Sequence, residues 1–391
     1  MDCVLLGGSN SVLKFGIGSG LESKVQTKRL GLGATSCIQN LYELERNKEL
    51  IRHANFVVTE SNVNDSFFAA SPQLSIESIS TEIDEYYRIL SMTNRNVYVV
   101  ILPANHHAPH MERVEFINSI NKRHILNCLA HGFKIVNLSA ITTELPVADV
   151  MNLIPHPRHL HEGFLHQLGI NIANHAQTNQ CNLKPVDLTG PSYTIIEASM
   201  IQPGETTEKK NSVFREDVAY LTNPKRLPPH TAGLEIIAIS AWSDGYSLVK
   251  ISNKNHSIVK CFSKLYSVWE LSQPITIDID TTIESAFDNP EPTDKSRLSK
   301  YNKANKCLEF GLIGLLAKKT HSTCFLPTAV YDYLDIDISK EVSPSIAPYV
   351  KACHSFLENR KLVPLETFEA MHEKLKRVEN ELATLKLETT G

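Results

Sequence analysis

The feature that most constrains this chain is the alternation of short β-branched runs with helical patterns over its first ~180 residues. Residues 3–6 form a short apolar run ended by Gly7-Gly8. Asn55-Phe-Val-Val-Thr59, Asn96-Val-Tyr-Val-Val-Ile-Leu102 and Phe133-Lys-Ile-Val-Asn-Leu138 are three more runs of strand length. Between them Ile76, Ile79, Ile83, Tyr87 and Leu90 recur at three- to four-residue steps, and Val114, Ile117, Ile120, Ile125 and Leu129 do so more loosely. His131-Gly132 supplies a helix end. Helices of this length between strands imply a mostly parallel sheet with both faces covered. The expectation is a three-layer α/β domain over residues 1–180.

From about residue 185 the texture changes. Ser192-Tyr-Thr-Ile-Ile196, Leu234-Glu-Ile-Ile-Ala-Ile-Ser240, Ser247-Leu-Val-Lys-Ile251 and Ile275-Thr-Ile-Asp-Ile279 are separated by Gly, Pro, Asn and Asp. Trp242-Ser-Asp-Gly-Tyr246 and Asn253-Lys-Asn255 read as turns. Closely spaced short strands without long helical patterns suggest a β-sandwich-like domain over 185–345, with a linker or long loop at 288–300. At the C-terminus, Phe368, Met371, Leu375, Val378, Leu382 and Leu385 alternate steps of three and four. That seam predicts a coiled-coil helix over 365–391 that joins copies of the chain into a homo-oligomer; the other reading is a helix docked on its own chain.

Composition excludes several classes. Hydrophobic residues at 42% and charged residues at 21% are ordinary globular values, which argues against disorder. The balance of 39 basic against 43 acidic residues, net −4, argues against a dedicated nucleic-acid binder. No apolar run approaches the ~18–20 residues of a membrane span. Met1-Asp2-Cys3-Val4-Leu5-Leu6 meets Gly7-Gly8 too soon for a signal-peptide core, so a cytoplasmic location is expected. Eight cysteines without a C-x-x-C pair read as reduced, buried thiols.

The candidate chemistry lies on loops. Ser9 follows a strand and two glycines and precedes a helix-like stretch, a position that presents a hydroxyl at the carboxyl edge of a sheet. Gly33, in Leu30-Gly31-Leu32-Gly33-Ala34-Thr35-Ser36, places a backbone N–H before a helix. Asn64, in Glu60-Ser61-Asn62-Val63-Asn64-Asp65, offers a side-chain amide after a strand. His159, in His156-Pro157-Arg158-His159-Leu160-His161, precedes another amphipathic stretch. Open α/β sheets place their sites at this edge.

These four segments, in this order, resemble the blocks of the SGNH (GDSL-like) hydrolase superfamily. Gly7-Gly8-Ser9 stands for its Gly-Asp-Ser, Gly33-Ala34-Thr35-Ser36 for its second block, Asn62-Val63-Asn64-Asp65 for Gly-x-Asn-Asp, and His156-Pro157-Arg158-His159 for Asp-x-x-His. The resemblance implies Ser9 as nucleophile, His159 as base, and an oxyanion hole from the N–H groups of Ser9 and Gly33 with the Asn64 amide. Three positions depart from the pattern: Gly8 replaces the acid, Asn62 replaces the glycine, and His156 replaces the Asp that orients the base. His156, Asn10 and His107 are candidate orienting or substrate-contacting residues. His107 belongs to Asn105-His106-His107-Ala108-Pro109-His110, a polar loop directly after the third of these runs.

The resemblance implies ester or acyl chemistry at an alcohol, often on a sugar. The expectation is an O-acetyltransferase that uses acetyl-CoA as acyl donor and a carbohydrate, such as a capsule polysaccharide or its precursor, as acceptor. A carbohydrate esterase of the same fold and a non-catalytic glycan-binding scaffold are the alternatives. No metal is expected: the histidines at 156, 159, 161, 166 and 175 have no accompanying Cys and no zincin spacing. Gly16-Ile-Gly18-Ser-Gly20 lacks a preceding strand and the full dinucleotide fingerprint.

Overall fold

Four strands of a five-stranded sheet alternate their side chains between two apolar layers. On β1 (Asp2–Gly7), Cys3 and Leu5 enter one core while Val4 and Leu6 enter the other. β3 (Phe56–Glu60) and β4 (Val97–Ile101) divide in the same way, with every residue buried on both. Such strands read as continuous apolar runs because neither face meets water. With β2 (Gln26–Arg29) and β5 (Lys134–Asn137) they form a sheet of order β2-β1-β3-β4-β5, in which every pair is parallel. The protein is seen here in a computed structural model that describes residues 1–69, 73–104, 114–142, 145–146, 149–150, 153–154, 158–179, 188, 190–211, 213–286, 291–296, 309–319 and 331–349.

The helices of this part are α1 (Ser9–Val12), α2 (Ile17–Glu22), α3 (Cys37–Arg46), α4 (Lys48–His53), α5 (Asn62–Phe68), α6 (Ile76–Thr93), α7 (Val114–His131), α8 (Leu138–Thr142) and α9 (Glu162–Thr178). One core joins the sheet to α3, α6 and part of α7; the other joins it to α2 and α9. The three-layer parallel-sheet domain expected from the sequence is therefore present. Its strand order reverses between β1 and β3, and the crevice outside the carboxyl ends of strands at such a reversal is where open α/β sheets bind ligands.

The helices α2 and α9 cross with backbone against backbone. A Cβ on Gly20 would overlap the carbonyl oxygen of His166, and one on Gly169 would overlap that of Ile17. Of the glycines that resembled a fragment of a nucleotide fingerprint, Gly20 serves this crossing, while Gly16 packs on Asn10 and Leu13 and Gly18 on Arg29 and Ser11. Ser19 Oγ to His166 Nδ1, 2.8 Å, and Phe15 N–H to Glu162 Oε2, 3.2 Å, tie the same two segments. α2 follows the Ser9 turn and α9 follows His159, so the crossing fixes the two halves of the candidate site against each other.

The β-rich part consists of two antiparallel sheets. The first contains β6 (Ser192–Glu197), β7 (Thr206–Lys210), β8 (Arg215–Tyr220), β10 (Glu235–Trp242), β13 (Tyr266–Thr276) and β15 (Gly311–Lys319). The second contains β9 (Lys225–Arg226), β11 (Ser247–Ser252), β12 (Ser257–Phe262) and β14 (Thr282–Ser285). They face each other across a shared core in which Phe262 and Trp269 stack at 5.1 Å, as in a sandwich. The outer face of the first sheet packs on α3 and α6, with Ala238, Val268 and Leu316 in the same core as Leu41 and Ile83. Arg46 clasps Glu216 at 3.0 and 2.6 Å, and the Tyr266 hydroxyl donates to Glu43 at 3.2 Å. The β-rich part thus backs the helix whose N-terminus follows Gly33.

The chain departs from the expected 185–345 extent at its far end. Residues 331–349 return to the α/β part: Ile338 N–H donates to Ile135 O at 3.0 Å, and Asn137 N–H donates to Ser339 Oγ at 2.6 Å. The physical reason is the open edge of β5, whose outward backbone groups need partners. The expected helix at 365–391 lies outside the described residues, as do the 288–290 and 297–300 portions of the expected linker. Among the described residues no helix is long and apolar enough to cross a membrane.

Candidate active site

β1 ends at Gly7, Gly8 caps α1 in an extended conformation, and Ser9 is the first helical residue. Its hydroxyl lies 2.8 Å from Nε2 of His159. With Nε2 unprotonated the hydroxyl donates, which is the arrangement a general base needs. Gly8 is required by what surrounds it: a Cβ there would come within 2.6 Å of Asn64 Nδ2 and 3.5 Å of both Glu60 carboxylate oxygens. The amide of Asn64 and a carboxylate thus approach the nucleophile turn through space that only glycine leaves open.

Gly33 lies beside the serine; a Cβ on it would be 3.7 Å from Ser9 Cβ. The next residue, Ala34, adopts φ +59°, a left-handed conformation that non-glycine residues rarely take and that costs on the order of 1–3 kcal/mol. Thr35 Oγ1 donates to Leu32 O at 2.6 Å, and Ser36 caps α3 by accepting from Ile38 N–H. Among the described residues nothing accepts from the N–H groups of Ser9 and Gly33 or from the Asn64 amide. Three donors around one hydroxyl are the components of an oxyanion hole.

Asn62, which stands where the resemblance calls for glycine, brackets the end of β4. Its Nδ2 donates to Leu102 O at 2.8 Å and its Oδ1 accepts from Leu102 N–H at 3.0 Å. The first turn of α5, which carries Asn64, is thereby fixed to the neighbouring strand. Asp65 links the second and third blocks: Oδ1 accepts from Cys37 N–H at 2.7 Å, and Oδ2 pairs with His124 Nε2 at 3.0 Å. Tyr87 OH contacts His124 Nδ1 at 2.8 Å in the same buried network.

His159 is held through Asn10, the residue after the serine. Asn10 Nδ2 donates to Arg158 O at 2.9 Å, and Asn10 Oδ1 accepts from Leu160 N–H at 3.2 Å. One buried amide therefore grips the chain on both sides of the histidine. Arg158 places its guanidinium 3.3 Å from the centroid of the Phe67 ring at the rim, and burial lowers its pKa. The other histidines disperse: His161 caps α9, His166 meets Ser19, and His175 lies between Tyr98 and Glu341.

The structure brings together Ser9, His159, Gly33, Asn64 and Asn10. His156 and His107 lie outside the described residues. Sequence reasoning did not single out Glu60 or His124. Glu60 carried a signal, an acid directly at the carboxyl end of an otherwise apolar strand. His124 carried none, because it is one polar residue on a loosely amphipathic helix.

No protein-family description matches this chain, and no curated protein matches it. Among solved structures it is similar to a lipase/acylhydrolase from Enterococcus faecalis, at 18% identity, 48% of this chain, 100% of that one and a TM-score of 0.37. It is similar to an acetyl xylan esterase at 16% identity, 46% of this chain, 98% of that one and a TM-score of 0.35. It is also similar to an acetylxylan esterase from Geobacillus stearothermophilus, at 9% identity, 48% of this chain, 96% of that one and a TM-score of 0.33. These are slight similarities of about half the chain; what the site can do follows from its own geometry.

Proposed function

We propose that this chain is a serine-dependent O-acyltransferase of the SGNH type, with an acetyl thioester as donor and a carbohydrate hydroxyl as acceptor. The observation that carries the reading is the 2.8 Å contact of Ser9 Oγ with His159 Nε2, flanked by the donors of Ser9, Gly33 and Asn64. A serine hydroxyl is a weak nucleophile until an imidazole takes its proton. His159 removes that proton as Ser9 Oγ attacks the thioester carbonyl of acetyl-CoA. Negative charge moves to the former carbonyl oxygen, where each donor is worth on the order of 3 kcal/mol. Collapse expels the thiol, which leaves with the proton held by His159, and acetyl-Ser9 remains. An acceptor hydroxyl then gives its proton to His159 and attacks the acetyl carbon. The sugar ester departs and the Ser9 hydroxyl is restored.

Water in place of the sugar hydroxyl would make the same site an esterase, so the outcome depends on holding the acceptor. The β-rich part, packed on α3 and α6, supports the transferase reading by offering surface for a long acceptor; holding the acceptor raises its effective concentration. The seam from Phe368 to Leu385 supports a homo-oligomer that would multiply such surfaces, and light scattering of the full chain against one ending at residue 364 tests it. For the reaction, the protein is incubated with acetyl-CoA and candidate glycans while free thiol and glycan mass are followed together. Thiol release that depends on glycan, with acetyl mass added to the glycan, is expected. Glycan-independent thiol release with fast hydrolysis of acetylated sugars would make the enzyme an esterase. Unchanged turnover of either kind by Ser9→Ala would end the serine mechanism.

A further inference from the structure

We infer that the Glu60 carboxylate is the positioning group of the nucleophile, clamping the turn of residues 8–11 so that Ser9 meets His159, and that the clamp needs its negative charge. The inference rests on the reading of Ser9 as nucleophile. Glu60 ends β3 and is buried, and its Oε1 accepts from three donors: Gly8 N–H at 2.7 Å, Ser11 Oγ at 2.9 Å and Ser11 N–H at 3.2 Å. All three lie on the residues that bracket Ser9 and Asn10. One clamp therefore fixes both the nucleophile and the side chain that grips the His159 segment.

Convergence of three donors on one oxygen is a task for an ionised carboxylate. Hydrogen bonds to a charged group are worth ~1.5–3 kcal/mol, against ~1 kcal/mol for neutral ones. A carboxylic acid protonated on Oε2 would keep Oε1 in place only as an uncharged and weaker acceptor for all three donors. Burial pushes the Glu60 pKa up, the bonds from Ser11 and Gly8 pull it down, nearby Asp65 raises it, and the result is about 7. Asp65 on α5 is the charged group on a neighbouring helix that raises it; Tyr86 on α6, whose pKa burial pushes up, stays neutral, and Asn64 and Asn40 approach as neutral amides.

The sign of the linkage supports a functional role. A raised carboxyl pKa means that the folded state holds the proton more tightly than the unfolded state. The stability this group contributes is fully present below the ordinary glutamate value of 4.5 and is lost as pH rises through about 7. Its charge is thus a cost to the fold at neutral pH, where glutamine would cost less. Retaining such a charge is what a positioning role requires.

The test compares wild type, Glu60→Gln and Ser11→Ala in two assays across about pH 5 to 9: acetyl ester turnover and labelling of Ser9 by a fluorophosphonate. Glu60→Gln is expected to lower kcat about tenfold above pH 8, with KM little changed, and to converge on wild type toward pH 5. Its melting temperature at pH 8 is expected to be no lower than that of wild type. Ser11→Ala removes a bond that favours the charged form, so its acidic limb is expected to move to higher pH. An activity ratio between wild type and Glu60→Gln that stays constant with pH would overturn the inference. So would an unmoved limb in Ser11→Ala, which also carries the test if Glu60→Gln does not fold. Wild-type labelling that persists in Ser9→Ala would instead sink the serine reading itself, and so the two failures are told apart.

Discussion

Replacing Asn10 by alanine should harm catalysis well beyond its effect on the fold. The side chain is 2% exposed and makes two hydrogen bonds, to Arg158 O at 2.9 Å and from Leu160 N–H at 3.2 Å. Each is worth a net ~0.5–1.5 kcal/mol, and leaving the buried Leu160 N–H unpaired adds ~1–3 kcal/mol. Together the bracket carries on the order of 2–6 kcal/mol. If the low end falls wholly on the fraction of molecules with His159 in reach of Ser9, kcat drops about 30-fold, since 1.36 kcal/mol is a factor of ten. Asn10→Asp keeps the acceptor for Leu160 N–H and loses the donor to Arg158 O, so its loss should be intermediate. The rate of Ser9 phosphonylation by a fluorophosphonate reads the Ser9–His159 register without knowledge of the substrate, and a melting curve reads the fold. Phosphonylation by Asn10→Ala within twofold of wild type would show that His159 is held by other means and refute the reasoning.

Two further outcomes follow from packing and charge. Gly169→Ala would place a methyl against the Ile17 carbonyl and within 2.9 Å of Leu21 N, forcing α2 and α9 apart at a cost of ~1–3 kcal/mol; a fall in melting temperature with a parallel loss of turnover checks it. Burial pushes Glu43 up to about 7, so its stabilising contribution is lost as pH rises from the ordinary glutamate value of 4.5 through about 7. Glu43→Gln should therefore flatten the pH dependence of urea midpoints across that window, and a slope equal to that of wild type would contradict this.

The parallel sheet was legible because its strands are buried on both faces. Residues 56–58 and 97–101 are apolar without alternation, and the three- to four-residue steps of α6 separate them. β2 was not legible: Gln26, Thr27, Lys28 and Arg29 sit on a sheet edge with exposed or half-exposed side chains, so nothing in their polarity marks a strand. The return of residues 331–349 to β5 was hidden for another reason. Covering an open strand edge uses backbone groups, which every sequence carries alike. At the site, the groups that would touch substrate were legible, because each sits on a loop after a strand or before a helix. Of the groups that hold them, Asn10 was a candidate as the neighbour of the serine, but the others were not. Asn62, Glu60 and Asp65 are ordinary polar residues until the fold shows which peptide units they grip.

The same groups bear on two of the three departures from the SGNH pattern, those at Gly8 and Asn62; the third, His156, lies outside the described residues. Where that pattern has an acid beside the serine, this chain has Gly8. The space is entered by the carboxylate of Glu60, 3.5 Å from where a Cβ on residue 8 would lie. Where the pattern has glycine at the start of its third block, Asn62 spends its amide on both backbone groups of Leu102. Each substitution moves a hydrogen-bonding group by one element and keeps a polar partner on the loop that needs it. A buried loop with an unpaired N–H loses ~1–3 kcal/mol, whereas one whose partner comes from a different strand loses little. Site geometry can therefore survive exchange of the residues that support it, provided the supports remain satisfied. This is why Ser9 and His159 meet at 2.8 Å in a chain whose motif residues are only partly those of the blocks it resembles.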